Sequence, residues 1–302
     1  MNFDHANTRG AAIALVSFAV FAGADTLVKL LSERFALFQV TAGVTGLALL
    51  FLVAFAAATG KLGQVIPRDP VFAGTRGVLL AGDMMLIYYA FSTISLTDAY
   101  VLAFLAPIMV ALLAAVFLGE RLSVIGYCGI ALGFAGVLVV MRPGQGEVHL
   151  GHFAAIGSAL LFAITLLMLK RTKAHESDLA LAAAPLAILS VLAVVIMMVT
   201  SGLPAPSLAE AGLFLLGGFM LFLGNILLVR AFRTGAASVV APFQYSQIIW
   251  GAGFGLVVFG APIELTPTSY RVCRRTDEAG RERLRPMHGV SVLERSDGAL
   301  LA

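Results

Sequence analysis

Charge is what this sequence has least of. Of 302 residues only 12% are Asp, Glu, Lys or Arg, about half the share usual in a soluble domain, while 60% are apolar and the mean hydropathy is +0.96. That deficit excludes an ordinary soluble globule. Cysteine is equally scarce: Cys128 and Cys273 stand far apart, give no metal-ligand spacing and make a poor disulfide framework. The five histidines are scattered, and the chain contains no GxSxG, no HExxH and no paired carboxylates within one apolar block. A membrane-embedded enzyme therefore lacks the groups it needs, and neither a cofactor, a metal nor a nucleic acid is expected. The period-two alternation of an outer-membrane barrel is missing too.

What the sequence does have is apolar blocks of about twenty residues, the length that crosses a hydrocarbon core as an α-helix. Spans are expected at about 11–32, 37–58, 76–96, 99–118, 124–141, 152–171, 179–200, 210–232 and 237–259. The joints between them carry breaker residues: Gly60 to Pro70, Gly119-Glu120-Arg121, Arg142-Pro143-Gly144, Lys170 to Asp178, and Ser201 to Pro204. Short joints imply antiparallel neighbours. The first span has only Arg9 ahead of it as a basic residue and reads as a retained helix rather than a signal peptide. With a cytoplasmic N-terminus, the cytoplasmic joints receive ten Lys/Arg and the opposite joints three, in line with the positive-inside rule. The expected location is the cytoplasmic (inner) membrane, multi-pass.

Sliding the sequence against itself by 141 positions pairs Gly10, Ala14, Ser17, Phe21, Ala22 and Lys29 with Gly151, Ala155, Ser158, Phe162, Ala163 and Lys170. The same offset pairs Gly77, Leu80, Leu86, Ala90, Phe91 and Thr93 with Gly218, Leu221, Leu227, Ala231, Phe232 and Thr234. One offset serving two separated regions implies two five-span halves, and a unit with an odd number of spans inserts upside down relative to its twin. Inverted repeats of this kind build secondary transporters, with the site near the midplane.

The repeat also predicts a tenth span over 265–282. Residues 261–302 instead hold seven Arg, no Lys and six Asp/Glu, a composition no lipid-exposed helix tolerates. The expected domains are thus a five-helix repeat over 1–144, a four-helix repeat over 149–260, and a charged tail over 261–302 that is either disordered or the product of a shifted reading frame. Nine spans would also put the tail arginines outside, against the positive-inside rule.

Ala90-Phe91, Ala106-Pro107, the run Phe117-Leu118-Gly119-Glu120-Arg121-Leu122 and the glycine-spaced segment ending Gly136-Val137-Leu138-Val139-Val140 together resemble the EamA domain of the drug/metabolite transporter superfamily. Asp25 and Lys29 late in the first span are similar to a subgroup of it. The resemblance covers roughly 10–260 as two copies. The second keeps Gly260 but has Ala261 and Pro262 where Glu120 and Arg121 stand, and Ile248 opposite Pro107. It implies ten helices, both termini cytoplasmic, and transport of small metabolites.

Ionisable or amide groups inside a span are costly in lipid and point to a cavity or a partner. Asp83 and, one position off its repeat equivalent, Asn225 aim polar groups to similar depth; each binds solute or protons, or is satisfied by a neighbour, Arg76 being near enough to serve Asp83. Asp25 and Lys29 at i, i+4 can neutralise one another, or Asp25 can serve the site. Gln244, Gln247, Gly251 and Gly255 form one stripe beside Tyr245 and Trp250, which either packs closely or lines a pathway. Tyr88, Tyr89 and Trp250 could stack on a solute, or anchor at the interface. Pro107 either frees backbone carbonyls for a ligand or merely kinks its helix. The GxxxG pairs Gly129/Gly133 and Gly251/Gly255 are expected to pack within the chain, a homodimer face being the alternative. Glu120 and Arg121 are expected to cap or pair locally, and His149 and His152 form no convincing metal site.

The expected fold is all-α, a polytopic bundle of two inverted five-helix repeats with the tenth helix missing. The expected function is alternating-access transport of a small organic solute, with proton coupling through Asp83 or Asp25. The alternative is a non-transporting remnant or assembly subunit.

Overall fold

A computed structural model describes residues 5–94, 96–120, 127–128, 131–132, 135, 149–172, 176–199, 204–259, 272–276 and 282–286. Among them, ten α-helices follow in chain order: α1 (His5–Ser32), α2 (Leu37–Ala58), α3 (Pro70–Thr93), α4 (Leu96–Ala103), α5 (Ala106–Leu118), α6 (Leu150–Arg171), α7 (Asp178–Met198), α8 (Leu208–Thr234), α9 (Ala237–Val240) and α10 (Ser246–Phe259). Seven stretches are long and apolar enough to cross a membrane: α1, α2, Pro70–Ile87, Val101–Leu118, α6, α7 and α8. The fifth expected span, 124–141, lies largely outside the described residues. The chain divides into two units, 1–261 and 262–302; within the second, Val272–Thr276 pairs antiparallel with Glu282–Pro286.

Local chemistry explains the helix ends. Asp69 accepts the amide of Phe72 and Pro70 opens α3, where its missing N–H is no loss. Ser177 caps α7, and Ser207 with Glu210 forms a reciprocal capping box on α8. Gly119, at φ 66, closes α5 in the left-handed conformation that glycine adopts without strain.

Two spans are not continuous helices. Span four breaks at Phe104-Leu105, just ahead of Pro107, which sits in the first turn of α5 rather than kinking a continuous helix. Span nine, expected as one helix over 237–259, consists of α9, a 3-10 segment Ala241–Tyr245 opened by Pro242, and the fourteen-residue α10. In each case a proline removes a ladder hydrogen bond and the chain restarts.

Helices in lipid gain little from hydrophobic association and rely on close packing of small residues. α1 buries Gly10, Ala14, Ser17 and Ala22; α6 buries Gly151, Ala155, Ser158 and Ala163, the same stripe 141 positions on. The strongest helix pairings are α1 on α8 and α3 on α6. Both are antiparallel. Ser17 Oγ donates to the Gly224 carbonyl (2.9 Å), and Gly10 backs onto Gly235 so closely that a Cβ would stand 2.7 Å from its Cα. Ser158 Oγ donates to Asp83 Oδ1 (2.5 Å), and Gly151 faces Thr93 and Ile94. Gly218 abuts Leu47 between α8 and α2, as Gly77 abuts Ile188 between α3 and α7. Each of these contacts recurs when one of its residues is advanced by 141 and the other is set back by 141.

The tethers at the helix ends alternate as well. Asp69 N–H donates to Glu176 Oε1 (2.5 Å) and Ser177 to the Gln64 carbonyl, joining the α2–α3 and α6–α7 joints. Arg34 pairs with Glu210 (2.6 Å) and Gln39 donates to the Pro204 carbonyl (2.8 Å), tying the α1–α2 joint and the first turn of α2 to the first turn of α8 and the joint before it.

Candidate functional site

The two helix breaks meet. The rings of Phe104 in the first and Tyr245 in the second lie 6.3 Å apart between centroids, tilted by 35°, and 104 and 245 are themselves 141 apart. Irregular backbone at membrane depth is tolerated where it is buried in protein or lines a cavity, and discontinuous helices of this kind form solute sites in transporters.

Polar groups gather at the second break. Gln244 is only 9% exposed, and its Oε1 is buried with no hydrogen-bond partner among the described residues. The Tyr245 hydroxyl is buried and equally unpartnered. Three residues on, Gln247 Nε2 donates to Asp25 Oδ2 of α1 (2.6 Å). A partner of Asp25 is therefore this cross-helix amide. Asp25 lies late in α1, with its other carboxylate oxygen outside this bond. Unpaired buried dipoles close in sequence to the amide that holds Asp25 form a place where a ligand's donors and acceptors would improve the hydrogen-bonding balance.

The remaining expected residues distribute as follows. Asp83 is taken by Ser158 of α6, not by Arg76. Arg76, 4% exposed, donates instead to the carbonyls of Thr165 (3.1 Å) and Leu181 (2.6 Å), tying α3 to α6 and α7. Asn225 turns its amide back to Leu221 O on its own helix (2.9 Å). Trp250 stands on the outer face of α10, 40% exposed, and Pro107 is buried in α5. The site thus gathers Asp25, Gln244, Tyr245 and Gln247; Asp83 and Asn225 have partners elsewhere. Tyr88's side chain and Gly129/Gly133 lie outside the described residues. Among those described, nothing lies within 4 Å of a Cβ built on Gly251 or Gly255, so the close packing expected there is not seen. His149 and His152 cap the start of α6.

Two participants were not foreseen. Phe104 carried no polar signal, though its repeat relation to Tyr245 was available. Glu120 was expected to act locally, yet it reaches across to α9 in the other half, accepting from Ala237 N (3.1 Å), Ser238 N (2.9 Å) and Ser238 Oγ (2.7 Å). The left-handed turn at Gly119 lets it do so.

The model of the EamA-like transporter family matches this sequence twice, over residues 8–142 and 149–268. The chain belongs to the EamA-like transporter family. Subtracting the 141-residue offset puts the end of the second match opposite residue 127, early in the fifth span. Among similar proteins, the Pseudopaline exporter CntI of Pseudomonas aeruginosa is 28% identical over 82% of this chain and 86% of its own. Solute carrier family 35 member G1 of Mus musculus is 32% identical over 66% of this chain and 58% of its own. The S-adenosylmethionine uptake transporter of Rickettsia bellii is 25% identical over 81% and 83%. A solved crystal structure shares the fold, with a TM-score of 0.70 at 18% identity, over 85% of this chain and 88% of the other. The family and these names point to a multi-pass membrane transporter rather than an enzyme.

Proposed function

We propose that this EamA-like protein is a secondary transporter of a small organic solute in the cytoplasmic membrane, working by alternating access between two inverted halves. The solute sits at the paired helix breaks, where Asp25 and Gln247 supply a charge and an amide, and Gln244 and Tyr245 supply the unpaired dipoles. Proton coupling through Asp25 or Asp83 belongs to the same proposal. The N-terminus is cytoplasmic, from the distribution of basic residues.

The observation that carries the proposal is the ring contact of Phe104 with Tyr245, which joins two breaks placed 141 residues apart beside buried Gln244 Oε1 and Tyr245 OH, both unpartnered among the described residues. The recurrence of the α1–α8 contacts in α3–α6 supports the repeat on which it rests. Relatives named as an exporter and as an uptake transporter leave the direction open. A second reading, an assembly subunit that does not itself transport, is favoured by one fact: the second family match stops opposite residue 127.

Solute flux in proteoliposomes tests the proposal, with S-adenosylmethionine as the first probe and a metabolite panel after it. Saturable flux that falls at least tenfold in Asp25→Asn is the expected result. No flux of any panel solute, from protein that is folded and inserted, supports the assembly reading. If Asp25→Asn and Asp83→Asn leave the pH dependence of flux unaltered, the carboxylates are not the coupling groups.

A further inference from the structure

Away from the helix breaks, the α2–α3 and α6–α7 joints enclose a cavity of about 250 Å³ lined by Gly63, Gln64, Ile66, Arg68, Glu176 and Ser177. Glu176 is only 5% exposed and is held from two directions: Arg233 donates to its backbone carbonyl (2.8 Å), and the Asp69 amide to Oε1 (2.5 Å). Its other oxygen, Oε2, is buried and has no partner among the described residues. A carboxylate oxygen left without a donor in such a place carries the full cost of lost hydration.

The groups lining the cavity narrow what would satisfy it. The Ser177 hydroxyl is already committed to the Gln64 carbonyl, and among the described residues no other group donates to Oε2. A plain anion would meet Glu176. A plain cation would meet Arg68, which lines the same cavity. A molecule with an ammonium at one end and a carboxylate or phosphate at the other satisfies both, the guanidinium taking the anionic end as a fork. The volume is below the range of drug-sized pockets, which suits a small head group. A second cavity of about 40 Å³, touching Glu176 from the Asp69, Phe72, Arg171 and Thr172 side, is closer to the volume of one water.

We propose that this joint cavity is a binding site for a primary-ammonium zwitterion, its ammonium on Glu176 and its anionic end on Arg68. Two sources share that chemistry, a free amino acid and the head group of phosphatidylethanolamine. Occupancy ties the α2–α3 joint to the α6–α7 joint.

The test uses the full chain in phosphatidylcholine nanodiscs, whose quaternary head group has no N–H to give, and reads the thermal unfolding midpoint. Titrated L-alanine raises the midpoint saturably if a free amino acid is the ligand. Adding phosphatidylethanolamine to the discs raises it and abolishes the L-alanine response if the head group is. Glu176→Gln, which retains an acceptor for the Asp69 amide, and Arg68→Gln, at an exposed position, each abolish the response. Methylammonium or acetate alone acts about tenfold more weakly or worse. No response to either zwitterion, a response that survives both substitutions, or equal action by methylammonium overturns the site. None of these results depends on flux through the helix breaks, so this site and the transport site stand or fall separately.

Discussion

Ser158 donates to Asp83 at 2.5 Å, and the counterpart pair, with the serine set back and the acceptor advanced by 141 positions, is Ser17 donating to the carbonyl of Gly224 at 2.9 Å. The two bonds cement equivalent antiparallel pairs, α3 on α6 and α1 on α8. One pair uses a side-chain acceptor and the other a backbone carbonyl, so the two contacts match in place but not in chemistry.

That difference gives a prediction. The Gly224 carbonyl also serves its own helix ladder, so Ser17→Ala leaves no group stranded. Ser158→Ala strips Asp83 of its described donor and leaves a carboxyl inside the bundle unsatisfied. Interhelical hydrogen bonds in a bilayer average about 0.6 kcal/mol and reach about 1.7. Ser17→Ala should therefore cost near the average and Ser158→Ala near the maximum. Equilibrium unfolding in bicelles measures both. An Asp83→Ala background should erase the Ser158→Ala loss, and a loss that persists there would locate the effect in packing instead.

Glycine placement gives the second prediction. A Cβ at Gly218 would lie 2.6 Å from Leu47 Cβ and 3.2 Å from the Ala48 amide, so Gly218→Ala forces the backbones of α8 and α2 apart. Overpacking of that kind costs typically about 1–3 kcal/mol. Gly77→Ala meets the flexible end of Ile188, which can rotate away, and should cost less. Gly251→Ala meets nothing within 4 Å among the described residues and should be neutral. Unfolding midpoints should rank the three in that order. A destabilising Gly251→Ala would place a close neighbour against α10.

The helices were legible because length and hydropathy decide whether a segment can cross a bilayer, and those are local properties. The close-packing positions were legible because packing demands small residues at fixed places, and Gly10, Ser17 and Gly77 have counterparts at 151, 158 and 218 that also make close contacts. The site was legible only in part. Asp25 and Gln247 could each be picked out as polar groups in lipid, but 222 residues separate them, and Lys29 one turn away offered a cheaper local partner. Arg76 misled for the same reason, since the carbonyls it serves, Thr165 and Leu181, carry no sequence signal at all. Glu176 lies in a polar joint where an acidic residue attracts no notice, and only the fold shows that its Oε2 is buried.

Glu120 gives the last prediction. It leaves α5 after the left-handed Gly119 and accepts three hydrogen bonds at the start of α9, two from backbone amides and one from the Ser238 hydroxyl. This is an N-cap supplied from the other half of the chain, and losing such a cap costs about 0.5–2 kcal/mol. The counterpart position is Ala261, whose methyl can accept nothing, so the sequence provides no equivalent cap for α4. Glu120→Ala should speed amide exchange at Ala237 and Ser238 by about tenfold, the ratio that corresponds to 1.4 kcal/mol, while amides within α2 keep their rates. Glu120→Gln retains one carbonyl oxygen as acceptor and should fall between. Because α9 leads directly into Ala241–Tyr245, loosening its start should also perturb the segment that carries Gln244. Fast exchange spreading through 241–245 in Glu120→Ala would register that coupling, and unchanged exchange at 237–238 would show that the three bonds do not restrain the helix.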